Sequence, residues 1–80
     1  MLATPKLLKA ARNLLGLTLD QVGKAAGLSG KTVARVEAGG KRTTIDAAEA
    51  IQAVYERRGV QFLQETGEYG EGLRLPKKPK

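Results

Sequence analysis

Apolar positions near the start of the chain recur every three or four residues: Leu7, Leu8, Ala11, Leu14 and Leu15. That period predicts one buried face of an α-helix. Thr4 followed by Pro5 supplies an N-cap and a first helical residue, and Gly16 ends the run. A second stretch, LDQVGKAA, follows the cap Thr18, carries Asp20 in its first turn where the helix dipole favours an acid, and stops at Gly27. A third, GKTVARVEA, is capped by Ser29 and stopped by Gly39 and Gly40. Only Gly27, Leu28 and Ser29 separate the second and third helices, a connection too short to lay them side by side. They are expected to cross steeply, as a helix-turn-helix.

Thr44 opens a fourth helix, IDAAEAIQAVYERR, with Ile45, Ala48, Ile51, Val54 and Tyr55 as its expected buried stripe and Gly59 as its stop. Arg57 and Arg58 stand in its last turn, where positive charge complements the dipole. The pattern then changes: VQFL and LRL, over residues 60–63 and 73–75, read as two short strands. They form either a hairpin or pairings with a second copy, and two lone strands must pack on something to persist. The chain thus divides into a helical domain over 1–59, a strand element over 60–75 that is expected to serve dimerisation, and a basic, flexible tail, PKKPK, over 76–80.

Composition narrows the chemistry. Eighty residues make one small domain with a modest core, so help from a partner chain is plausible. With no His and no Cys there is no thiolate or imidazole metal site, no Cys nucleophile and no Ser-His-Asp triad. The expectation is a protein that is not an enzyme and uses neither cofactor nor metal. Glu65, Glu68 and Glu71 share one loop and read as solubilising residues rather than cation ligands. No apolar run approaches the roughly 20 residues of a membrane span, and MLATPKLLKAAR is too polar for a signal peptide, so a cytoplasmic protein is expected.

Charge adds direction. The net +6 is concentrated: residues 1–44 hold eight basic and two acidic side chains, whereas residues 45–80 hold six of each. The front half is therefore the candidate surface for a polyanion. Residues 25–32, AAGLSGKT, fit a relaxed phosphate-loop string. A phosphate loop must follow a strand, however, and here a helix precedes it, so the same letters are better read as the turn and cap between two helices.

Residues 7–63, and LTLDQVGKAAGLSGKTVARVEAGGKRTT above all, resemble the Cro/CI-type (XRE) helix-turn-helix regulators of phages and bacteria. The resemblance implies a mostly α, phage-repressor-like bundle of four or five short helices with a short C-terminal β hairpin or dimer-pairing strands. Val22, Ala26, Leu28, Val33 and Val36 are apolar where the helices would face the core, and Gly23 is small where they would cross. Arg12 and Glu37 match positions where the family commonly holds an ion pair that ties helices together, a structural role. In such proteins the third helix enters the major groove, which leaves Gly30, Lys31, Thr32, Ala34 and Arg35 as the candidate base-reading residues. Arg35 suits guanine N7 and O6, Thr32 and Ala34 a thymine methyl, and Lys31 either guanine or phosphate. Phosphate contacts are expected from Thr18, Lys41, Arg42, Thr43 and Thr44. Lys6 and Lys9 are either near the DNA or simply exposed. Leu19 departs from the family, which often has Gln at the start of the second helix to hold a phosphate.

These features imply a sequence-specific regulator of double-stranded DNA, a repressor acting as a homodimer on a two-fold operator. Dimer contacts are expected from Ile51, Tyr55, Val60, Phe62, Leu63, Leu73 and Leu75, residues that alternatively complete the monomer's own core. The rival reading is a helix-turn-helix module that holds another regulatory protein, as an antiactivator or antitoxin-like partner.

Overall fold

The computed structural model describes residues 2–40 and 42–78; Met1, Lys41, Pro79 and Lys80 lie outside the described residues. Four helices are followed by two strands: α1 (Pro5–Leu15), α2 (Leu19–Ala26), α3 (Gly30–Glu37), α4 (Ile45–Arg57), β1 (Gln61–Leu63) and β2 (Gly72–Arg74). This is a mostly α bundle with a C-terminal hairpin.

Every helix begins on the hydroxyl residue read from the sequence. Thr4, Thr18, Ser29 and Thr44 each accept from the backbone N–H three residues on. At Thr18 the bond is reciprocal: Gln21 N donates to the Thr18 hydroxyl at 3.0 Å, and Thr18 N donates to Gln21 Oε1 at 2.8 Å. Such a capping box satisfies two helix-end donors at once, and it lets α2 persist at only eight residues. Gly27 ends α2 at φ +74°, a conformation in which a Cβ would be strained.

The core gathers Leu8 and Ala11 from α1, Val22 from α2, Val33 and Val36 from α3, and Ile51, Val54 and Tyr55 from α4. Ala3 and Val60 close it from the two ends of the helical part. Two expected stripe residues fall outside: Leu14 is 59% exposed and Ile45 67% exposed. Both stand at the end of a helix, where the turn reaches beyond the neighbouring helices.

The strands pair with each other, antiparallel, with Phe62 opposite Leu73. Both side chains pack against the helical core, and β2 lies against α1. On the other face Arg74 Nε donates to Gln61 Oε1 at 2.7 Å. The expected dimer residues are corrected accordingly. Ile51, Tyr55 and Val60 are fully or almost fully buried within the single chain and have no surface to offer a partner. With only three aromatic residues available, the core uses Tyr55 as its largest filler. Phe62 and Leu73 are half-buried, and Leu63 and Leu75 are exposed.

Candidate nucleic-acid interface

The α2–α3 turn is set by a close approach. A Cβ at Gly23 would lie 2.6 Å from the Leu28 carbonyl oxygen and 2.9 Å from the Ser29 carbonyl carbon. Only glycine lets the turn settle against α2, and Leu28 N fixes it by donating to Gly23 O at 2.7 Å. The phosphate-loop string therefore lies on α2, the turn and α3, with a helix and, among the described residues, no strand before it.

Arg12 and Glu37 are joined as expected. Arg12 Nε donates to Glu37 Oε2 at 2.7 Å and Nη2 donates to Oε1 at 3.0 Å, while Nη1 reaches the Leu17 carbonyl oxygen at 3.2 Å. Their side chains are only 15% and 5% exposed. The pair bolts α3 to α1, and its hydrogen bond raises the affinity of the Arg12 guanidinium for its proton. Beside it lies the buried Tyr55 hydroxyl, which meets no hydrogen-bonding atom of the described residues. Burial, and then the charge of Glu37, push its pKa up to about 12.

With Val33 and Val36 buried, α3 turns Lys31 and Arg35 to solvent on a common face. Thr32 is half-buried, and its hydroxyl lies 3.0 Å from that of Ser29. Ala34 is also half-buried and lines a shallow groove of about 220 Å³ with Lys9, Arg12, Leu19, Glu37 and Ala38. That groove brings Lys9, left open by sequence reasoning, beside α3. Gly30 is corrected: its open side is directed at Asp20 of α2 rather than outward, because the two helices cross there.

Around the helix starts, Thr18 and Thr44 are exposed but spend their hydroxyls as caps, and Thr43 donates its hydroxyl to Gly40 O at 2.8 Å. What these positions offer an anion is backbone N–H at the mouths of α2 and α4, with the exposed Arg42 between α3 and α4. Lys41 lies outside the described residues.

One polar anchor escaped the sequence reading altogether. Gln52, 6% exposed, accepts from Ala3 N at 2.7 Å and ties the segment before α1 to α4. A glutamine within the apolar run of α4 was the only available signal, and its partner lies 49 residues away. Among the described residues no group of acidic side chains is arranged to hold a metal ion, and no helix is long and apolar enough to cross a membrane.

A comparison with curated proteins gives no match. A family model described as helix-turn-helix matches residues 8–61, about two thirds of the chain, a span that runs from α1 through all four helices to the first residue of β1. With capped helices on either side of a glycine-set turn and a solvent-facing third helix, the chain belongs to the helix-turn-helix family of DNA-binding regulators, of the Cro/CI (XRE) type.

Proposed function

We propose that the protein is a transcriptional repressor that binds a two-fold operator as a homodimer, with α3 of each copy in the major groove. The observation that carries this reading is α3 itself. Its inner face is fastened by Val33, Val36 and the Glu37–Arg12 pair, and its outer face carries the two long cations Lys31 and Arg35. A rigid helix that presents Arg beside Lys suits guanine edges and the phosphates flanking them. Arg42 and Lys9 add charge on either side, Lys41 adds to it in the sequence after α3, and the region up to residue 44 carries the whole net positive charge of the chain. Repression by such a protein is steric and calls for no cofactor.

Two copies read two half-sites about one helical turn apart, which doubles the sequence read. The dimer surface in this proposal is the exposed Leu63 of β1 and Leu75 just after β2, with the half-buried Phe62 and Leu73 beside them. Residues 60–75 remain the dimerisation element in this reading. The same exposed leucines, together with Tyr69, favour the second reading, a module that holds another protein.

Selection of bound duplexes from a random pool, followed by a salt titration on the winner, separates the two readings. The repressor reading expects a two-fold motif and log K falling with log salt by about 0.9 per neutralised phosphate. No enriched motif together with a flat salt response would favour the protein-holding module. Sedimentation on and off DNA tests the dimer, and a strict monomer in both states overturns it.

A further inference from the structure

Gly30 is the first residue of α3, and the place where another residue would carry its Cβ is already taken. A Cβ there would run into Oδ1 of Asp20 and would come within 3.2 Å of the Asp20 backbone nitrogen. Asp20 belongs to the first turn of α2 and is exposed. Its carboxylate makes no hydrogen bond or ion pair with any described residue. Nor does it cap α3, because Ser29 Oγ already accepts from Thr32 N at 3.1 Å. An acid with its acceptor capacity unspent thus occupies the side-chain position at the leading end of the helix that carries Lys31 and Arg35.

We propose that Asp20 is a specificity-determining residue: it supplies the functional group that Gly30 lacks and selects cytosine at one base pair of each half-site. An ionised carboxylate only accepts hydrogen bonds. In the major groove guanine shows it two acceptors and thymine one, while cytosine shows the N4 donor. Adenine offers a donor too, but beside the N7 lone pair, so cytosine is the better match. Glycine at position 30 is what lets the carboxylate approach the end of α3. This inference rests on the proposed placement of α3 in the major groove.

The test is selection from a random duplex pool with the wild type and three variants, each first checked for unchanged thermal unfolding. The wild type should enrich cytosine about tenfold at one position per half-site. Asp20→Ala should lose that preference and keep the others. Asp20→Asn should move it toward adenine, since an amide matches the donor and acceptor pair of that base. Gly30→Ala keeps the negative charge but displaces the carboxylate, and should lose the cytosine preference as Asp20→Ala does. If Asp20→Ala keeps the wild-type motif, or Gly30→Ala retains the cytosine while Asp20→Ala merely tightens binding to all sequences, Asp20 acts as a general charge and the proposal fails. A wild type that enriches no motif overturns the DNA-binding placement itself, and this inference with it.

Discussion

The α2–α3 pair and the hairpin are both made of very short elements, and they are held by different means. The helix pair is fixed by close backbone contact at its turn and by polar side chains that cap or pair. The turn rests on Gly23 with no room for a methyl group, both helices are capped, and Glu37 is bolted to Arg12 across the core. The hairpin is fixed by its short strand pairing and by side chains, Phe62 and Leu73 on one face and the Arg74–Gln61 bond on the other, and its loop over residues 64–71 has open space around the glycines at 67 and 70. In the proposed function α3 meets base edges and tolerates little misplacement, and the tight turn and the ion pair supply that rigidity. The apolar contact proposed for the hairpin does not need it.

The sharpest way to break this comparison is to remove the bolt. Glu37→Ala strands the Arg12 guanidinium in a nearly closed site and should cost about 3–5 kcal/mol in urea unfolding, whereas Arg74→Ala on the hairpin should change stability by no more than about 0.5 kcal/mol. Equal losses would mean that the pair is not what orders α3.

Next comes the turn. Gly23→Ala must push the Leu28 and Ser29 backbone away and should cost about 1–3 kcal/mol, with a further loss of DNA affinity as α3 moves. Gly67→Ala, in the open loop, should stay within about 0.5 kcal/mol. Calorimetry on the two variants makes the contrast direct.

Within the proposed interface, Arg35→Ala should relax preference at one position per half-site and cost about 1–3 kcal/mol of discrimination. Arg42→Ala should weaken all sequences alike and lower the salt slope by about one unit. Binding isotherms on the selected site and on a scrambled one distinguish the two outcomes.

The last effect appears only in alkali. Burial, with the charge of Glu37, holds the Tyr55 pKa above its ordinary value of 10.0, at about 12. The folded state therefore keeps a proton that the unfolded chain gives up. The resulting stability is whole below pH 10 and is lost as pH rises from there through about 12. Tyr55→Phe should remove that part of the alkaline decline and leave the stability profile near neutrality flat.

Much of this was legible in the sequence because its signals are local. A hydroxyl before each apolar run and a glycine after each mark helix ends by chemistry acting over four residues. The ion pair was readable only through family resemblance, since Arg12 and Glu37 stand 25 residues apart. What escaped depends on how helices meet. The period that placed Leu8 and Ile51 correctly also claimed Leu14 and Ile45, because periodicity says which side of a helix faces inward but not how far the neighbouring helix extends. Ile51, Tyr55 and Val60 were equally apolar as core or as interface until the packing of one chain absorbed them. The meeting of Asp20 with Gly30 follows from the crossing of α2 and α3, which no pattern in either helix encodes.

The choice of caps has a consequence of its own. Aspartate and asparagine cap helices as well as serine and threonine do, yet all four helices here begin on Ser or Thr. A hydroxyl satisfies the first amides while adding no charge to the helix starts proposed to approach a polyanion. The caps are electrically silent, so folding and attraction to DNA can be tuned apart. In the proposed complex an aspartate at Thr18 or Ser29 would keep the helix and weaken attraction to the phosphates, and phosphorylation of either exposed hydroxyl would do so reversibly.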